Sequence, residues 1–99
     1  MVKALVMSET DNVATLIAQA HSGDSCELRG AKTGLLKIQS DVPYGHKVAL
    51  VPLEVGDEVI KYGQVIGRIT QKVSPGEHVH IHNVESIRGR GDLVHAENA

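Results

Sequence analysis

Five glycines, Gly45, Gly56, Gly63, Gly67 and Gly76, cut the second half of this chain into segments of a few residues each. The pieces between them run 46–53, 58–61, 65–69 and 78–83, with Pro43, Pro52 and Pro75 at their edges. Glycine opens the backbone conformations of tight turns and proline is kept to strand edges, so this cadence describes short strands joined by turns. Composition points the same way. There is no Phe or Trp and only two Tyr among 99 residues, and a core made of Val, Ile, Leu and Ala favours β structure over an aromatic-anchored bundle.

The first half is more mixed. Residues 2–7 read as a strand, followed by a polar turn. Val13, Leu16, Ile17 and Ala20 then recur at helical spacing with Thr10 or Asp11 placed to cap, which predicts one short α-helix over 12–20. Beyond the turn 21–24, strands are expected over 25–28 and near 35–39, on either side of Arg29-Gly30-Ala31. The whole chain, 1–99, reads as a single domain. Its ordered core is expected over about 1–87, with a polar, Gly-rich tail over 88–99 that frays unless a partner holds it.

A domain of this length buries only ~60–65% of its unfolded surface, so a partner is expected to cover part of it: a larger chain, or a second copy in a homo-oligomer. The net charge is −2, with acids and bases interspersed. That pattern argues against nucleic acid or an anionic membrane as the main ligand. Cys26 is the single cysteine, which excludes an intrachain disulfide and suits a reducing cytoplasm. The apolar run of residues 1–7 is cut off by Ser8-Glu9-Thr10-Asp11, too early for a signal segment, and nothing is expected to span a membrane.

Chemistry concentrates in His78-Val79-His80-Ile81-His82-Asn83. On an extended strand Val79 and Ile81 would enter a core while the three imidazoles line the other face. Residues two apart on a strand are ~6.6–6.8 Å apart, close enough to share one metal, whereas His78 and His82 would be ~13 Å apart and unable to share it. A pair, His78/His80 or His80/His82, could therefore ligate. A third ligand would come from His46, Glu77, a partner's carboxylate or substrate oxygens. Solvated surface histidines are the alternative. In Gly45-His46-Lys47 the glycine allows close approach of a ligand, His46 offers proton transfer and Lys47 a fixed charge for a carboxylate. An exposed basic turn is the alternative there. The rhythm of residues 55–67 also occurs in lipoyl and biotinyl carrier domains, but neither Lys47 nor Lys61 has the flanks of their acceptor lysine.

Taken in order, Gly45-His46-Lys47-Val48-Ala49-Leu50, the run Gly56-Asp57-Glu58-Val59-Ile60-Lys61-Tyr62-Gly63-Gln64-Val65-Ile66-Gly67, and Gly76-Glu77-His78-Val79-His80-Ile81-His82-Asn83 resemble the N-terminal domain of the altronate/galactarate dehydratase family. The likeness extends upstream through Asp11-Asn12-Val13-Ala14-Thr15 and covers nearly the whole chain. It implies a mainly β fold, the SAF-type β-clip of short strands, here with the one short α-helix. In that family the domain precedes a large catalytic region or is a separate small subunit, and sulfolactate sulfo-lyase has the same two-part construction. The resemblance further implies a cytoplasmic, metal-dependent hydro-lyase that dehydrates a sugar acid, with Fe2+ or Mn2+ shared with a large dehydratase-type subunit; a sulfolactate sulfo-lyase small subunit and a non-catalytic SAF module that binds a ligand or protein are the alternatives. Carried over residue by residue, it implies His46, His80 and His82 as catalytic groups and Lys47, Lys61 and Asn83 as substrate-binding groups. His80, His82 and Glu77 are its candidate metal ligands, while His78 stands in front of the motif as an extra imidazole.

Overall fold

Nine strands carry the architecture of the computed structural model, which describes residues 1–87. The expected frayed tail lies outside them. The strands are β1 (Val2–Val6), β2 (Val13–Leu16), β3 (Ser25–Gly30), β4 (Gly34–Lys37), β5 (Lys47–Ala49), β6 (Glu58–Lys61), β7 (Gln64–Ile69), β8 (His78–Val79) and β9 (Val84–Ser86). They form a six-stranded sheet in the order β4-β3-β1-β2-β5-β8 and a three-stranded sheet in the order β6-β7-β9. All pairings are antiparallel except β1 with β3.

Two aliphatic cores result. Ala4, Val6, Ala14, Leu16, Ile38, Val42 and Val48 pack in one, while Val13, Ala49, Leu53, Val59, Ile69, Val73 and Val79 pack in the other. Strand β2 serves both: Val13 faces the second core, and Ala14 and Leu16 the first. This corrects the helix expected over 12–20. A strand buried on both faces loses its period-two alternation, so its apolar spacing imitates a helix. Asp11 caps no helix either. Its carboxylate accepts the backbone N–H groups of Ser8 (3.1 Å), Tyr62 (3.1 Å) and Gly63 (2.9 Å), and Asn12 bonds Glu58 and Ile60 of β6. These two side chains join the β6–β7 hairpin to the larger sheet.

One turn recurs four times: His21-Ser22-Gly23-Asp24, Pro43-Tyr44-Gly45-His46, Glu54-Val55-Gly56-Asp57 and Ser74-Pro75-Gly76-Glu77. In each, the third residue is a glycine with φ between 83° and 96°, as a type II turn requires. The fourth residue donates its N–H to the first carbonyl at 3.0–3.1 Å. Each turn also docks by two backbone bonds onto one residue of a neighbouring segment, namely Ile38, Leu16, Ile69 and Ala49 in turn order. In three of them the fourth side chain, Asp24, Asp57 or Glu77, accepts the first residue's N–H at 2.8, 2.7 and 2.5 Å. Strands β3, β5, β6 and β8 each begin directly after one of these turns.

Candidate functional site

The second of these turns lacks its clamp. Pro43 has no N–H to donate, and the fourth position holds His46 rather than an acid. The imidazole is therefore available to face β8. In the β5–β8 ladder Lys47 pairs with Val79 and Val48 with His78, so the same register brings His46 opposite His80. The His46 and His80 rings stack with centroids 4.2 Å apart, and His46 Nδ1 lies 2.9 Å from His78 Nε2, one of the two donating its proton to the other.

Strand β8 stops at Val79. Asn83 folds residues 80–83 into a turn: its Oδ1 accepts the His80 N–H (2.9 Å), its Nδ2 donates to the His78 carbonyl (2.9 Å), and its own N–H donates to the His80 carbonyl (3.0 Å). An amide side chain that closes a turn on its own backbone outcompetes strand extension. The extended strand over 78–83 is thereby corrected, and Ile81, expected in the core, is 84% exposed. The turn also draws His82 back to within 5.2 Å of His78, centroid to centroid, far nearer than on a straight strand.

The ligand atoms of His46, His78 and His80 all lie within 4.8 Å of one another, and all three residues are half-buried. Burial pushes the His78 imidazole down to about 4, helped by His46, His82, His80 and Lys47 in that order. His80 is lowered by burial and then by His46, Lys47 and His82. Crowding several positive or protonatable groups disfavours adding another proton, so these two rings are held neutral near pH 7.

Beside the imidazoles lies a cleft of about 390 Å³ lined by Lys47, Lys61, Tyr62, Ile66, His80, Ile81, Val84 and Ser86. No acidic residue is among them. Burial and then Lys61 lower the ammonium pKa of Lys47, while Lys61 Nζ sits 5.0 Å from the centroid of the Tyr62 ring. His80 belongs to both groups, standing in the imidazole cluster and in the cleft wall.

Sequence reasoning thus places His46, Lys47, Lys61 and His80 in one neighbourhood, and the structure brings them together. His82 is exposed on the 80–83 turn. Asn83 is buried with both ends of its amide committed inside that turn, and Glu77 clamps Ser74 away from the cluster. His78, extra to the family motif but half of the His78/His80 pair that strand spacing allowed, lies in the cluster. The β5–β8 register brings it against His46, while Asn83 three residues after His80 is the turn-closing spacing that invalidates the straight-strand distance to His82.

The structure is a clip of short strands in which an imidazole cluster adjoins a cleft whose charged lining residues are Lys47 and Lys61. The model of the altronate/galactarate dehydratase SAF domain matches residues 2–87, and the chain belongs to that family. It is 33% identical over 76 residues to altronate dehydratase of Bacillus subtilis (strain 168), a match covering 77% of this chain and 15% of that protein. It is 42% identical over 57 residues to (2R)-sulfolactate sulfo-lyase subunit alpha of Chromohalobacter salexigens, covering 58% of this chain and 61% of that one. The subunit of the same name from Paracoccus pantotrophus is 47% identical over 53 residues, covering 54% and 79%. No helix among the described residues is long and apolar enough to cross a membrane.

Proposed function

We propose that this chain is the small subunit of a cytoplasmic lyase that dehydrates a sugar acid of the altronate/galactarate type to a 2-keto-3-deoxy acid, with a large dehydratase-type subunit completing the site. The observation that carries this reading is His80, a neutral imidazole in the wall of a cleft that also holds Lys47 and Lys61. In β-elimination from a 2,3-dihydroxy acid, a base removes the C2 proton, the electrons form the C2–C3 double bond, and hydroxide leaves C3 and is protonated to water. The resulting enol tautomerises to the keto acid. Lys47 and Lys61 pair with the carboxylate and hold the charge that grows on it as the proton leaves. In the ion-free site His80 is the group of this chain placed to take that proton, with His46 stacked behind it; with an ion held by the imidazoles, the base comes from the large subunit. His82, exposed at the turn, and the groups that protonate the leaving hydroxide meet the substrate on the large subunit's side.

An Fe2+ or Mn2+ ion shared with the large subunit belongs to the same reading, and when bound it would supply Lewis-acid polarisation of a substrate oxygen. His46, His78 and His80 are the residues of this chain that would hold the ion, because their nitrogens converge, and as nitrogen donors they fit Fe2+ better than Mn2+. Glu77 and His82 do not join that group. A second reading, sulfo-lyase chemistry on sulfolactate, is favoured by the higher identities to the alpha subunits and by their comparable size. It begins with the same C2 proton and differs in the group leaving C3.

The test is reconstitution with the large subunit followed by assays on altronate, galactarate and sulfolactate. We expect no turnover by the small chain alone, a raised KM in Lys47→Ala and Lys61→Ala, a collapsed kcat in His80→Ala, and no change in His21→Ala. Turnover of all three acids that ignores the lysine and His80 variants would overturn the assignment.

A further inference from the structure

We propose that His46, His78 and His80 form a three-imidazole site, contained within this chain, that selects a late first-row divalent ion such as Zn2+, Co2+ or Fe2+ over Mn2+ or Mg2+. The inference deepens the metal site of the proposed function, on whose three imidazoles it rests, and is argued from geometry and donor chemistry. Three atoms no more than 4.8 Å apart have a point within roughly 2.8 Å of each, and metal–imidazole bonds are ~2.0–2.1 Å long. Each nitrogen therefore needs to move by less than an ångström. Side-chain rotation covers that distance with the backbone left in place.

The backbones are pinned. The His46 N–H donates to the Pro43 carbonyl (3.1 Å), the His78 N–H to Ser40 Oγ (2.9 Å), and the His80 N–H to Asn83 Oδ1 (2.9 Å). Asn83 grips both sides of the site, since its amide also donates to the His78 carbonyl. These bonds fix the main-chain positions from which the three imidazoles project.

The donor set determines which ion is preferred. Three neutral nitrogens without a carboxylate suit Zn2+, Co2+, Ni2+, Cu2+ or Fe2+, whereas Mn2+ and Mg2+ favour oxygen donors. Three protein ligands also leave one tetrahedral position open. His80 lines the cleft, so that position faces the space beside Lys47 and Lys61, where a water or an anionic oxygen would complete the shell.

The experiment is titration of the chelator-treated 99-residue chain with Co2+, followed by visible absorption, and with Zn2+ and Mn2+, followed by calorimetry. One ion per chain with four-coordinate Co2+ bands, and Mn2+ bound more than an order of magnitude more weakly than Zn2+, is the expected result. His46→Ala, His78→Ala and His80→Ala should each weaken Zn2+ binding by at least the ~10–100-fold that losing even an outer partner costs, with His21→Ala unchanged. Imidazole nitrogen NMR of the unaltered chain covers variants that fail to fold: Zn2+ should shift His46, His78 and His80 and leave His21 in place. Absence of Zn2+ binding, equal affinity for Mn2+, or metal-induced shifts that miss these three rings would overturn the site. Lyase activity plays no part in any of these readouts.

Discussion

Replacing Asp11 should be among the most damaging single changes to this domain, although the residue lies outside the cleft. Its carboxylate is 1% exposed and accepts three backbone N–H groups, two of them from Tyr62 and Gly63 at the tip of the β6–β7 hairpin. Tyr62 has φ 58° and Gly63 φ 71°. Left-handed conformation costs a residue with a Cβ about 1–2 kcal/mol, which the Asp11 bond helps to offset. A hydrogen bond to a charged acceptor contributes about 1.5–3 kcal/mol, but the exposed tip lets water replace part of what is lost. Asp11→Ala should therefore cost about 3–5 kcal/mol, a large share of the roughly 5–15 kcal/mol that holds a small domain together. Asp11→Asn keeps the shape but exchanges one acceptor oxygen for a donor, and should cost about 1.5–3 kcal/mol. Urea unfolding measures both values, and amide hydrogen exchange at Tyr62 and Gly63 localises the effect. Adding Tyr62→Gly to Asp11→Ala should recover about 1 kcal/mol by removing the left-handed penalty. A cost below about 1 kcal/mol for Asp11→Ala, with the hairpin amides still protected, would refute this account of the anchor.

His78 makes stability depend on pH in a defined direction. Its folded-state value of about 4 lies below the ordinary imidazole value of 6.5, so the unfolded chain binds more protons between these limits; stability is full above about pH 6.5 and falls as the pH drops toward 4. The whole shift corresponds to about 3 kcal/mol, which partial exposure screens to about 1–2 kcal/mol. Urea midpoints across this range should flatten in His78→Asn, and an unchanged slope would count against the assignment. Glycine substitutions should rank by what a Cβ meets. At Gly45 there is open space, and Gly45→Ala should cost only the left-handed penalty of about 1–2 kcal/mol. At Gly67 a Cβ would lie 2.7 Å from Val84 Cγ1 and 2.9 Å from the Glu85 carbonyl oxygen, predicting about 1–3 kcal/mol. Gly76→Ala should exceed both, because a Cβ there runs into the Lys37 carbonyl oxygen at a φ of 86°. Thermal unfolding of the three variants checks the order.

The β character was legible because glycine and proline mark turns by local sterics, and the segments 46–53, 58–61, 65–69 and 78–83 each contain a strand. Strand β2 was misread because double burial erases alternation, and the sequence near Val13 carries no sign of which cores it will join. Within the site, His46, Lys47, Lys61 and His80 were legible by residue type and motif. Distances among the histidines were not, since they follow from the turn at Asn83 and from the β5–β8 register. Tyr62, Ile66 and Val84 as cleft walls depend on how the hairpin docks, which Asp11 and Asn12 determine through bonds spanning about half the chain.

The repeated turn has a consequence for how charge is distributed. Asp24, Asp57 and Glu77 each neutralise a backbone donor at a turn, so acidity is tied up in scaffolding at three of the four equivalent corners. The fourth corner, with proline first and histidine last, gives up its lock, and there the chain concentrates cationic and proton-accepting groups despite a net charge of −2. Locking and reactivity thus compete for a single side-chain position. The molecule contains its own comparison: three corners closed by an acid and one of the same geometry left open.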